Sequence, residues 1–287
     1  MKHVSEIEAM SGGTGGSDGP GVTDATGRTP DRAGDVGHAR AGDVDAGVRG
    51  GATPHTSVPT PAPPIPDVSL RTEGLPGWLV PVAEAARTLR GDQLSRFLPP
   101  EDGAGRQSAV LILFGDGERG PELLLMERAG SLRSHAGQPS FPGGALDPQD
   151  GDPHTEGPLR AALREAWEET GLDPGGVQLF GVLPRLYIPV SGFVVTPVLG
   201  WWRVPTPVEA VDPAETARVF TVPVADLTDP DNRVTTIHPS GHKGPAFLVE
   251  SALVWGFTAG VIDRILHHAG WERPWDRAKT VPLDWRT

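Results

Sequence analysis

Three glutamates, Glu165, Glu168 and Glu169, fall at i, i+3 and i+4 within Leu159–Gly171 (LRAALREAWEETG). At about 100° per residue, Leu159, Ala162, Leu163, Ala166, Trp167 and Thr170 form an apolar stripe, with the three acids on the opposite side. Pro158 suits the first helical position and Gly171 a left-handed cap, which predicts a helix over about 158–170. Like charges at this spacing cost roughly 0.2–0.5 kcal/mol on an exposed helix. No lysine stands four residues from Glu165 to relieve them. Two readings follow from the residues. The face is simply solvated, or it serves a hard divalent cation, since Mg²⁺ and Mn²⁺ prefer oxygen donors and often pair a few carboxylates with substrate phosphates.

The surrounding residues carry a resemblance. Arg164-Glu165-Ala166-Trp167-Glu168-Glu169-Thr170-Gly171-Leu172 resembles the second half of the Nudix box, R-E-U-x-E-E-x-G-U. Phe141-Pro142-Gly143-Gly144 resembles the turn that opens the box. Glu156 lies eight residues before Arg164, the spacing of the first box glutamate. Nineteen residues separate Gly144 from Arg164 where the box has thirteen, and the glycine expected six before Glu156 is Asp150. Asp147–Gly157 therefore reads as a loop expansion. Upstream, Leu124-Leu125-Met126-Glu127-Arg128-Ala129, then Arg133, Gly137 and Phe141-Pro142-Gly143-Gly144, resembles the signature of the coenzyme A pyrophosphatase branch. That signature runs L-L-T-x-R-[SA]-x3-R-x3-G-x3-F-P-G-G, and Met126 replaces its Thr.

The resemblance implies an α/β protein, a Nudix-type α/β/α sandwich with a mixed sheet between helices. It implies metal-dependent hydrolysis of coenzyme A or a derivative at its diphosphate, giving 3′,5′-ADP and 4′-phosphopantetheine. Carried over residue by residue, Glu165 and Glu169 are the principal Mg²⁺ or Mn²⁺ ligands. Glu168 is a further ligand or positions the water, and the Gly144 carbonyl is an extra ligand. Arg164 points about a quarter turn from the acids and braces the loop. Arg128 and Arg133, with Gly137 and Phe141 in the same motif, are the substrate-binding candidates. His135 contacts phosphate or packs its loop. Glu215, in Asp212-Pro213-Ala214-Glu215 before a strand, is a candidate general base or a surface acid in a turn. Alternatives are another nucleoside diphosphate derivative, such as ADP-ribose or NADH, and a silent nucleotide-binding module of the same fold.

Several elements must position these residues. Residues 78–97 read as one amphipathic helix stopped by Pro99-Pro100. Ser108–Phe114 and Glu122–Met126 read as a hairpin, and Val177–Val182, Arg185–Ile188 and Phe193–Trp202 as strands. Glu250–His268 reads as a second, largely buried helix. Gly115-Asp116-Gly117-Glu118-Arg119-Gly120 fits G-x-G-x-x-G, but the strand-like Pro121-Glu122-Leu123-Leu124-Leu125 follows it where a dinucleotide site needs a helix. It reads as a hairpin turn. His267-His268 reads as a helix C-terminus, and Trp201-Trp202 and Trp255–Phe257 as core.

Composition sets the frame. All 17 aromatics lie at or after Trp78, while residues 1–75 hold 14 of the 38 Gly and 8 of the 31 Pro. Such a segment buries too little apolar surface to offset its ordering entropy. It predicts a disordered tail over residues 1–75 and one domain over 76–287. Net charge is −12, of which residues 1–75 carry −4. That balance argues against nucleic acid or an anionic membrane as partner, and the resemblance implies a small-molecule substrate. With no cysteine, disulfides, thiolate metal sites and a Cys nucleophile are excluded. MKHVSEIEAM lacks the apolar core of a signal peptide, so a cytoplasmic protein is expected. Oligomeric state is not legible.

Overall fold

Alternation along one strand sets the layers. In the computed structural model, which describes Ile65, residues 68–130 and residues 137–283, strand β1 spans Arg106–Gly117. Its Ala109, Leu111 and Leu113 pack in one core with helix α3 (Gly157–Thr170). Its Ile112 and Phe114 pack in a second core with helices α1 (Val80–Thr88), α4 (Val224–Thr228) and α5 (Gly256–His268). Successive strand side chains point to opposite faces, so one sheet separates two helical layers. The chain is an α/β/α sandwich, as its elements predict.

The expected hairpin joins β1 to β2 (Gly120–Arg128), with Gly117 opposite Gly120, so the G-x-G-x-x-G segment is its turn. Strands β3 (Pro139–Ser140), β4 (Gly143–Ala145), β5 (Val177–Val182), β6 (Leu186–Ile188), β7 (Phe193–Trp202) and β8 (Thr216–Pro223) complete the sheet. Its central order is β3-β2-β1-β7-β5, with β4 on β1, β6 on β7 and β8 on β2. β1 runs parallel to β7 and antiparallel to β2 and β4, which makes the sheet mixed. The first half of β1 pairs with β4 and the second half with β2. That division carries Gly143 and Gly144 to Val110 and Ala109.

Two expected helices differ from the observed ones. Residues 78–97 are not one helix: α1 ends where Leu89 turns extended (φ −65, ψ 135) to bury its side chain, and α2 (Gly91–Leu94) restarts at Arg90, whose N–H donates to Gln93 Oε1 (2.9 Å). The helix expected from Glu250 begins only at Gly256. Glu250 and Ser251, at φ 50 and 60, turn the chain between β10 (Lys243–Val249) and β11 (Ala252–Val254). The apolar run Ala252-Leu253-Val254 pairs with β10 instead of coiling. With β9 (Arg233–Ile237) and β12 (Thr280–Pro282) these form a second sheet, β11-β10-β9-β12, which local patterning does not foretell.

Residues ahead of position 76 also pack on the two cores. Ile65 and Val68 pack on the α3-side core and Leu75 on the other. Arg71 donates its N–H to the Leu179 carbonyl (2.9 Å), and Gln178 Nε2 donates to the carbonyls of Arg71 (2.9 Å) and Glu73 (3.1 Å). The rest of the expected tail, residues 1–64, 66 and 67, lies outside the described residues. Losing two apolar anchors and these hydrogen bonds costs about 2 kcal/mol. A chain beginning at Leu75 is therefore expected to unfold at lower urea than one beginning at Ala62; equal midpoints would contradict the docking. Among the described residues no helix is long and apolar enough to cross a membrane.

Candidate active site

Helix α3 forms as its spacing predicts. Pro158 lies in its first turn, and Gly171 caps it at φ 68, donating its N–H to the Trp167 carbonyl (2.9 Å). Leu159, Ala162, Leu163, Ala166 and Thr170 are buried, with Ala161 beside them, whereas Trp167 is only partly covered. The three acids do not share one environment. Glu168 is 44 % exposed, but Glu165 is 18 % exposed. Glu169 accepts a hydrogen bond at Oε2 from the Gly143 N–H (2.8 Å). Two of the three carboxylates thus turn inward against β4, unlike a uniformly solvated face.

Glycine makes that approach possible. A Cβ on Gly144 would lie 2.5 Å from Cδ and both carboxylate oxygens of Glu165. A Cβ on Gly143 (φ 157) would lie 2.4 Å from the Ala109 carbonyl oxygen, so β4 can sit beside β1 only without it. The space that a Gly144 side chain would fill is taken by the Glu165 carboxylate.

Arg164 hydrogen-bonds both to the loop and to the acids. Its Nε and Nη2 donate to Asp150 Oδ1 (3.1 Å) and Oδ2 (2.9 Å), and Nη2 donates to the Ala145 carbonyl (3.1 Å). Its Nη1 donates to Glu165 Oε1 (2.9 Å) and Glu168 Oε2 (3.0 Å). Burial works against the guanidinium charge, but hydrogen bonding to Asp150 and the attraction of Glu165 outweigh it and hold the pKa above the usual arginine value. Glu165 is raised, chiefly by burial, with repulsion from Glu168 and Asp150 adding and Arg164 opposing. Glu169 is pushed up to about 8 by burial, against the pull of the Gly143 N–H. Glu165 and Glu215 raise it further and Arg128 lowers it.

Those last two influences come from distant chain segments that the fold brings to this end of the sheet. The N–H groups of Glu209 and Val211 donate to the carbonyls of Thr170 (3.0 Å) and Glu169 (3.3 Å), tying the incoming segment to the last turn of α3. That segment reaches Glu215, whose carbonyl accepts from the Ala129 N–H (2.8 Å), next to Arg128. Arg128 Nε is buried and has no hydrogen-bond partner among the described residues. Gly137, at φ 67, closes the turn by donating its N–H to the Arg128 carbonyl (2.9 Å).

Other candidates lie elsewhere. Phe141 is 3 % exposed in the core, so it supports the loop and does not face a ligand. Glu156 stands at the N-cap position of α3 without a side-chain capping bond and accepts from Thr155 Oγ1 (2.5 Å), which with other hydrogen bonds lowers its pKa; its carboxylate makes no bond to Arg164. Arg133 and His135 lie outside the described residues. The residue missed as a participant is Asp150, 2 % exposed and paired with Arg164. Its signal was its place six residues after Gly144, where counting from the glycine end puts the first box acid.

Among the described residues, no three His, Cys, Asp or Glu side chains gather closely enough to hold a metal unaided. The donor set nonetheless suits a hard cation. Glu165 and Glu169 are inward carboxylates whose charged forms are disfavoured, and the backbone at Gly144 is open beside them. A divalent ion here would take its remaining oxygens from that backbone and from a phosphate-bearing ligand.

A mixed-sheet α/β/α sandwich that seats an R-E-x-x-E-E helix on a Gly-Gly strand defines a Nudix protein, and the chain belongs to the Nudix hydrolase family. Residues 105–239 match the NUDIX domain. The chain is similar to the "Uncharacterized Nudix hydrolase NudL" of Cronobacter sakazakii, 41 % identical over 174 residues covering 59 % of this chain and 85 % of that one. Its likeness to the protein of the same description from Escherichia coli K12 is 37 % over 172 residues, covering 58 % and 83 %. Among solved structures, the Nudix hydrolase RenU of M. smegmatis aligns at 18 % identity and TM-score 0.41, covering 63 % of this chain and 98 % of that one.

Proposed function

We propose that the protein is a metal-dependent diphosphohydrolase that cleaves coenzyme A or its derivatives to 3′,5′-ADP and 4′-phosphopantetheine. The carrying observation is the inward pair Glu165 and Glu169, held against β4, where burial pushes Glu169 up to about 8. In this reading the pair holds Mg²⁺ or Mn²⁺, with the Gly144 carbonyl as a further oxygen. A bound ion of this kind neutralises charge on a diphosphate and acidifies coordinated water. Glu168, the most exposed of the three, positions the attacking water, and Arg164 keeps Glu165 and Glu168 in place.

The coenzyme A branch rests on the signature around β2, which the fold divides by role. Leu124, Leu125 and Phe141 are buried packing residues. Arg128 is the polar member left to meet a substrate among the described residues, and its unpartnered Nε suits a phosphate oxygen. Because the chain is acidic overall, local arginines and metal must supply the attraction. Parallel rates with coenzyme A, ADP-ribose and NADH test the substrate. We expect coenzyme A to lead by at least about 10-fold in kcat/KM, or about 1.4 kcal/mol of discrimination; equal or faster turnover of ADP-ribose would refute the assignment.

A further inference from the structure

We infer that Arg218 is a positioning residue: with Glu127 it locks the register of β8 on β2, and so sets Arg128 at the acidic end of α3. The inference rests on the reading of Arg128 as a phosphate contact. The two strands pair in step from Glu122 with Pro223 to Glu127 with Arg218, but Arg128 then pairs with Thr216. Ala217, which is exposed, is the extra residue of a β-bulge.

The bulge reverses the faces of the strand. Phe220 and Val222 join the core on the α5 side, and the Arg218 guanidinium lies over the Phe220 ring, 4.3 Å from its centroid. In a regular strand Thr216 would share that face, being two residues before Arg218. Instead it pairs with Arg128, and its Oγ1 lies 4.0 Å from Met126 Sδ. Met126 alternates with Leu124 onto the α3 side. Just past the bulge, the Ala129 N–H donates to the Glu215 carbonyl (2.8 Å). A slip of one residue would turn this whole segment to the other face.

Arg218 holds the last regular pair before the bulge. Its Nε donates to Glu127 Oε2 (2.7 Å), and its Nη2 donates to the Glu250 carbonyl (3.0 Å). An ordinary surface ion pair holds little. Here one planar guanidinium is engaged three ways, by Glu127, by the Phe220 ring and by the turn in which Glu250 and Ser251 stand at φ 50 and 60. Position 127 is the open one between Met126 and Arg128 in the coenzyme A pyrophosphatase signature, so the lock belongs to this chain and not to that motif.

The test follows amide hydrogen exchange by NMR on the full-length protein, with KM and kcat for coenzyme A beside it. In R218A and in E127A the Ala129 amide is expected to exchange at least about 10-fold faster, while β1 amides keep their wild-type rates. KM should rise at least about 10-fold, the scale of one charged hydrogen bond to substrate, with kcat within about 3-fold of wild type. A merely structural role would lower the melting temperature and leave KM alone. Because the pair acts through Arg128, R128A/R218A should show a KM no higher than that of R128A. Wild-type exchange at Ala129, a wild-type KM, or losses that multiply in the double variant would overturn the inference. Should R218A not fold, E127A decides on the same two readouts, since Arg218 is 39 % exposed and water can solvate it there. A wild-type protein that leaves coenzyme A intact would refute the phosphate reading of Arg128, and the Ala129 amide would still decide the register lock.

Discussion

Glu169→Gln is expected to abolish hydrolysis and yet to stabilise the metal-free protein at alkaline pH. The first effect follows from removing one of the two inward carboxylates; a loss of at least about 1,000-fold, or about 4 kcal/mol of transition-state stabilisation, is the expected scale. The second follows from linkage. Burial first, then repulsion from Glu165 and Glu215, raises the folded-state pKa to about 8 from an ordinary 4.5. Between those values the folded protein keeps a proton that the unfolded chain has released, so its stability falls as pH rises through this window. Above pH 8 the full cost of the buried charge is present. Gln can still accept the Gly143 N–H bond while carrying no charge.

With EDTA present, the variant should therefore melt with the wild type at about pH 4.5, where both side chains are neutral. It should melt roughly 10 °C higher at pH 9, on the order of the 5 kcal/mol that a rise from 4.5 to about 8 implies. Identical melting at both pH values would show that Glu169 is not held as a disfavoured anion. By the same sign, metal must displace a proton from Glu169 below pH 8, so apparent metal affinity should rise with pH up to about 8.

The second large effect separates two adjacent glycines. A Cβ at Gly144 meets only the end of the Glu165 side chain, which can swing aside, whereas one at Gly143 meets the backbone of Ala109 and Val110. Gly144→Ala should keep its melting temperature within a few degrees and lose about 100-fold in kcat/KM, because a carboxylate displaced by about 1 Å no longer presents its oxygens correctly. Gly143→Ala should lose about 3 kcal/mol of stability, since β4 must move off β1. A Gly144→Ala protein of wild-type activity would mean that the position of Glu165 is immaterial to the reaction.

Elements set by local periodicity were legible in the sequence. Helix α3, the β1–β2 hairpin, β5 and β7 stand where alternation or helical spacing placed them, because each carries its own apolar face. What escaped depends on partners distant along the chain. The second sheet is built from short strands that gain their order by pairing, and Ala252-Leu253-Val254 cannot be told from a helical start by its apolarity alone. The break at Leu89 follows from where its side chain is buried, which only tertiary packing decides. Ile65 and Val68 sit in a Gly- and Pro-rich context that hides two anchors.

The candidate site divides in the same way. The three glutamates and the Gly-Gly turn were visible because a helix face and a turn are local. Their unequal exposure was not, since it depends on β4 approaching α3. Asp150 was overlooked because spacing from Arg164 favoured Glu156, while the partner that matters is chosen across the loop. Phe141 shows the converse: a motif residue that the fold uses for packing. Glu215 comes beside Glu169 and Arg128 because backbone hydrogen bonds tie its segment to both α3 and β2.

The most direct test is to incubate the purified protein with coenzyme A and Mg²⁺ or Mn²⁺, with and without EDTA, and separate the products by chromatography. 3′,5′-ADP and 4′-phosphopantetheine are expected in equal amounts, formed only where metal is free. Equal product formation in EDTA would contradict the metal-dependent site, and intact coenzyme A after prolonged incubation with metal would contradict the assigned reaction.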